Sequence, residues 1–145
     1  MVDCGHWFRG ALAVLAVSHI FALTPLAAQE LTRGEGEFRA WCARCHGMAG
    51  KGDGPISQEL ETPPPDLTQI SKKNEGQFPA GKVRETIDGR DILMSHRSNE
   101  MPAWGNWFEY DITAGGLLKQ SETKTRAEIE ERIERIVGYI SSIQE

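Results

Sequence analysis

Three residues in one pentapeptide, Cys42-Ala43-Arg44-Cys45-His46, carry the clearest chemistry in this sequence. Two cysteines three apart share one face of a helix, so both thiols can add to the two vinyl groups of a single porphyrin. A histidine directly after the second cysteine then turns its imidazole toward the iron. A bare C-x-x-C is equally compatible with zinc or with a redox disulfide. The trailing histidine selects attachment of one covalent c-type haem, with Cys42 and Cys45 as thioethers and His46 as the proximal axial ligand.

The N-terminal segment fits that chemistry. An apolar run over residues 11–23 follows Arg9, and small residues at Ala27 and Ala28 precede an abrupt change of polarity at Gln29-Glu30. This is the pattern of a secretory signal peptide over residues 1–28, and the run is short for a bilayer span. Leu26, larger than the preferred alanine, and His19 within the run are departures, and an uncleaved N-terminal anchor is the alternative. Cleavage after Ala28 leaves a single domain over residues 29–145, in the periplasm, without a further stretch apolar enough to span a membrane. Of the three cysteines in the chain, Cys4 falls in the signal. The remaining pair would ordinarily suggest a disulfide in an exported protein, but the spacing and His46 assign both sulfurs to haem.

A second axial ligand must come from a soft thioether or an imidazole. After residue 28 the choices are Met48, Met94, Met101 and His96. Met48 stands too close to His46 in sequence to reach the opposite face of the porphyrin. Met101 precedes Pro102, which confines its backbone to an extended conformation and so fixes its direction. Met101 is the favoured distal ligand, with His96 and Met94 as alternatives.

Helices must position these groups. Phe38, Trp41, Cys42 and Cys45 recur at three- and four-residue spacing and predict a first helix over residues 34–46. Gly34 and Gly36 stand where a second helix could cross closely. The glycines from Gly47 to Gly54 lack the G-K-[ST] ending of a phosphate loop, and they are expected to let backbone approach the porphyrin edge. Pro63-Pro64-Pro65 has no N–H among its three residues to compete for its carbonyls. One of those carbonyls is expected to accept the Nδ1–H of His46, leaving Nε2 for iron. Asp66 and Gln69 resemble a capping box opening a short helix with Leu67 and Ile70, which fades at Asn74-Glu75-Gly76. Proline early and glycine late predict another helix from about Pro79 to Gly89, with Val83 and Ile87 on one face. From about Ser121 to Ile143 an aliphatic seam of Ile129, Ile133, Ile136, Val137, Ile140 and Ile143 predicts the longest helix. Its Glu and Arg residues cover the other faces. No strand pattern is evident, so the fold class is all-α.

Taken together, residues 34–143 resemble a class I c-type cytochrome of the bacterial periplasmic monohaem kind. The Gly-Lys-Gly-Asp-Gly-Pro and Met-Pro-Ala-Trp-Gly stretches carry the likeness alongside the haem motif. The resemblance implies the cytochrome c fold, with N- and C-terminal helices crossing and short helices and loops around one haem. Gly34, Phe38 and Tyr139 stand where such proteins bring the two helices together, and Met101 matches their distal methionine. It further implies haem attachment after translocation. Trp104 and Arg97 are candidates for haem-propionate contacts. The stretch 106–125, with Trp107, Phe108 and Tyr110, is long for this family and receives no role.

The formal net charge is −5, with the acidic excess in the C-terminal third, which argues against nucleic acid as a partner. The expected function is electron transfer between redox partner proteins by a monomeric carrier that performs no substrate chemistry. The alternatives are a haem subunit of a periplasmic oxidoreductase, such as a sulfur-oxidising or dehydrogenase complex, and a haem sensor with an open sixth site.

Overall fold

The computed structural model describes residues 26–90, 101–114 and 121–145. Among them the regular structure is helical: α1 (Leu26–Trp41), α2 (Ala43–His46), α3 (Ile70–Lys73), α4 (Ala80–Asp88), α5 (Trp104–Ile112) and α6 (Glu122–Ser142), with single 3-10 turns at Ser57–Glu59 and Leu67–Gln69. Met94, His96 and Arg97, and residues 1–25 of the expected signal, lie outside the described residues.

The first helix begins at Leu26 rather than at residue 34. Ala, Gln, Glu, Leu and Arg are strong helix formers, and Glu30–Arg33 and Glu35–Arg39 pair along its surface at 3.0 and 2.6 Å. The expected single helix over 34–46 breaks at Cys42, whose φ of −108° departs from helical values. Hydrogen bonding nevertheless passes through it, from Cys42 N–H to Phe38 O at 2.8 Å and from His46 N–H to Cys42 O at 2.9 Å.

At the other end of the chain, Ser121 caps α6 by accepting from Lys124 N–H at 3.3 Å. A cap contributes about 1 kcal/mol, whereas each buried aliphatic side chain contributes about 1.5–3 kcal/mol. The seam of Ile129, Ile133, Ile136, Val137 and Ile140 is buried as expected, and it dominates. It packs on α1, α4 and α5. At the α1/α6 crossing a Cβ on Gly34 would overlap the Arg135 carbonyl, so the close approach there requires glycine. One turn on, the Phe38 and Tyr139 rings meet with centroids 5.1 Å apart. Gly36, by contrast, meets nothing; it faces an open groove beside Arg33, Glu37, Arg132 and Arg135, and the expected crossing there does not occur.

α4 follows the expected bounds closely, ending at Gly89 in the left-handed conformation (φ 66°). The short helix after the prolines is a 3-10 turn running into α3. Asp66 caps it through Thr68 N–H at 2.9 Å, but Gln69 does not close the box; its amide turns to Thr68 and Glu145 instead. Of the unassigned stretch 106–125, residues 106–112 complete α5 and residues 122–125 open α6, while residues 115–120 lie outside the described residues. Trp104, Phe108 and Ile112 form the inner face of α5 at four-residue spacing, with Phe108 fully buried, while Trp107 and Tyr110 point outward.

Arg132, read as a solvated helix face, is instead mostly covered. It donates to Glu37 on α1 at 2.8 Å and to Asp111 on α5 at 2.7 Å. Its guanidinium lies 4.4 Å above the Phe108 ring and 5.3 Å from the Trp41 ring. Burial would lower its pKa, but its hydrogen bonds to Asp111 and Glu37, with the charges of those carboxylates, outweigh that and hold it above the usual value. One side chain thus joins three helices.

Candidate functional site

α2 ends in a turn at Gly47 (φ 78°) that stops the helix directly behind His46. The His46 backbone is then fixed from the following loop, where Gly52 N–H donates to its carbonyl at 2.8 Å. His46 is 8% exposed, and its Nδ1 lies 3.3 Å from the Pro65 carbonyl. A carbonyl can only accept, so Nδ1 carries the proton and Nε2 is left with a free lone pair. The expected proline carbonyl is therefore Pro65. Burial lowers the pKa of His46, against the opposing effect of the Pro65 hydrogen bond, which favours the neutral imidazole that a metal requires.

The glycine loop works differently from expectation. A Cβ on Gly52 would overlap the Pro64 carbonyl, and one on Gly54 would overlap the carbonyls of Arg44 and Cys45. The close approach is of backbone to backbone. It holds the proline segment against the end of α2, and residues 47–54 do not line the cavity described next.

That cavity, of about 510 Å3, is walled by Cys42, Cys45 and His46 on one side, Pro63-Pro64-Pro65, Leu67 and Ile70 on another, and Val83 and Ile87 of α4. Met101, Pro102 and Trp104 complete it. Its size falls in the roughly 300–1,000 Å3 range of cofactor sites. Met48 is 57% exposed and stands elsewhere. Trp41, Trp104 and Phe108 form an aromatic cluster behind the Met101 segment, with Trp104 stacked on Phe108 at 5.9 Å and Trp41 edge-on to both. Sequence reasoning missed the cavity's cations, Lys73 and Lys82; a lysine in an exposed short helix carries no signal until the fold turns it toward a ligand.

The two thiols are not joined to each other. Burial, with Glu37 and Cys45 adding to it, pushes the Cys42 thiol up to about 12, so the free side chain is held as a neutral thiol. No cluster of three or more His, Cys, Asp or Glu able to hold a metal occurs among the described residues. The donor set does fit haem c: two thiols three residues apart facing one cavity, an imidazole with Nε2 free, a thioether and a large apolar wall. Among the described residues no helix is long and apolar enough to cross a membrane.

No curated protein and no solved structure matches the chain. The family described as cytochrome c oxidase, cbb3-type, subunit III matches residues 29–114, a span that runs through the cysteine pair, the proline segment, α4 and α5. Matched over more than half its length and built around a cavity that suits haem c, the chain belongs to this family of c-type cytochromes, whose work is haem-based electron transfer.

Proposed function

We propose that this protein is an exported carrier of one covalently attached haem, ligated by His46 and Met101, which passes single electrons between proteins in the periplasm. The observation that carries the reading is the convergence of Cys42, Cys45, His46 and Met101 on one apolar cavity. Haem iron supplies a one-electron ferric/ferrous couple when bound. Cys42 and Cys45 hold the porphyrin through thioether bonds, and the Pro65 carbonyl keeps the His46 proton on Nδ1 so that Nε2 is the donor. Met101 supplies a weak uncharged donor, which raises the reduction potential and fills the sixth position. Val83, Ile87, Leu67 and Trp104 exclude water, and Lys73 and Lys82 offer positive charge to the propionates.

The mass of the intact protein recovered from the periplasm tests export, haem count and covalency together. The expected mass is that of residues 29–145 plus one haem, unchanged after acidified organic solvent. Haem that extracts into the solvent, or a mass that includes residues 1–28, would contradict the covalent or the exported reading respectively.

A second reading has the family description in its favour, since that description names an oxidase subunit. In it the chain relays electrons within a larger oxidoreductase. Migration as a monomer after gentle extraction supports the free carrier; recovery with oxidase subunits supports the relay.

A further inference from the structure

The residues that follow α6 reach back across the molecule to the segment behind His46. Gln144 Nε2 donates to the Leu67 carbonyl at 2.8 Å and to the Ile140 carbonyl at 2.7 Å. Its Oε1 accepts from Ser71 N–H at 2.8 Å. Two carbonyls on one end of the amide and an N–H on the other leave a single consistent orientation. Beside it, Glu145 N–H donates to the Thr68 carbonyl at 2.9 Å. On the opposite side of the same segment, Leu67 N–H donates to Gly50 O at 2.7 Å, and the Pro64 carbonyl sits against Gly52. Residues 64–71 are thus clasped between the glycine loop and the end of α6.

Pro65 itself has no N–H by which to be held, so the position of its carbonyl depends on the residues on either side. We infer that Gln144 is a positioning residue for the proximal ligand: by anchoring Leu67 and Ser71 it sets the Pro65 carbonyl against His46 Nδ1, and so tunes the potential of the iron. The inference rests on the His46 ligation proposed above. A hydrogen bond to Nδ1–H makes the imidazole a stronger donor, which favours ferric iron. Loosening the clasp lengthens that bond, weakens the donor and raises the potential. The Glu145 side chain, by contrast, accepts from Lys51 at 2.7 Å and from Gln69 at 3.0 Å on an exposed surface, where ion pairs contribute little.

The test is a redox titration of the haem-loaded, full-length protein and its Gln144→Met variant, which keeps side-chain length but loses all three hydrogen bonds. The expected result is an upward shift approaching a tenfold change in the ferric/ferrous ratio, ~59 mV for one electron, together with faster exchange of the His46 Nδ1 proton in ferrous NMR spectra. Glu145→Gln should leave both unchanged. Ile129→Val, in the core and remote from the segment, should lower the denaturant midpoint without moving the potential. If Gln144→Met does not fold, Gln144→Asn, one methylene too short to span Leu67 and Ser71, takes its place with the same expectation. A lowered midpoint with an unchanged potential and unchanged Nδ1 exchange would overturn the inference, leaving Gln144 a stabilising residue only. Wild-type protein with no ligated-histidine signal would instead remove the reading of the site on which the inference stands.

Discussion

The two sides of the cavity are built from different forces. On the proximal side, His46 ends the short helix α2, which carries Cys45 and follows directly on Cys42, and hydrogen bonds fix what surrounds it. Gly52 N–H holds its backbone, Pro65 meets its ring, and Gly50, Gln144 and Glu145 hold the segment that carries Pro65. On the distal side, Met101 enters through a proline-restricted segment and is carried by α5. That helix stays in place by aromatic packing of Trp104 and Phe108 on Trp41, by Arg132 lying over Phe108, and by contacts with α4 and α6. Hydrogen bonds are directional and fix a bond geometry, whereas apolar packing fixes a position and relaxes when a side chain is removed. With His46 and Met101 as the proposed ligands, the first should therefore be set in angle and protonation, and the second in presence or absence.

The largest expected effect breaks the distal side alone. Phe108→Ala removes a fully buried ring from beneath Arg132 and beside both tryptophans, at a cost of about 3–5 kcal/mol. Reduced protein should then bind carbon monoxide, because the Met101 segment is no longer held, while His46 stays bound. Denaturant unfolding with a carbon monoxide titration checks both. Retained exclusion of carbon monoxide would mean that residues 101–104 hold themselves.

The crossing of α1 and α6 supports both sides, so Tyr139→Ala should cost about 2–3 kcal/mol through its contact with Phe38 and affect neither ligand selectively. Equilibrium unfolding read at the haem and by far-ultraviolet dichroism should give coincident transitions.

Gly52→Ala sharpens the proximal half. It places a side chain at a φ of 80° and against the Pro64 carbonyl, which should cost about 1–3 kcal/mol and raise the potential without admitting carbon monoxide. A redox titration set against the unfolding midpoint separates that result from a general loss of stability.

The smallest effect has the opposite sign. Gly36 touches nothing, so Gly36→Ala should stabilise the protein by about 0.5–1 kcal/mol through helix propensity and a less disordered unfolded chain. Gly34→Ala should destabilise it, because the Arg135 carbonyl fills the space. Denaturant midpoints of the pair check the difference in sign.

The proximal half was the more legible in sequence. Cysteine and histidine spacing is local, a proline run advertises its free carbonyls, and the seam of α6 repeats over several turns. Even there, which proline carbonyl meets His46 depends on how the glycine loop folds, and Gln144 is an unremarkable residue until α6 returns it to residues 67–71. The distal half hid more. In α5 the inner residues Trp104, Phe108 and Ile112 are interleaved with exposed Trp107 and Tyr110, so apolar content does not mark one face. Arg132 reads as surface charge because its partners Glu37 and Asp111 are distant in the chain and come together only on folding. The Gly34 contact was indicated by the family resemblance, which sets Gly34 and Phe38 against Tyr139, and nothing local in the sequence separates Gly34 from Gly36. Met94 and His96, the alternatives to Met101, lie outside the described residues.

The ferric absorption spectrum of Met101→Ala tests the central claim most directly. Wild-type protein should be low-spin, with the weak long-wavelength band of an iron–thioether bond. The variant should lose that band, become accessible to carbon monoxide when reduced, and keep its covalent haem. A variant whose spectrum and potential match wild type would contradict Met101 as the distal ligand, and loss of the same band in Met94→Ala or His96→Ala would reassign it.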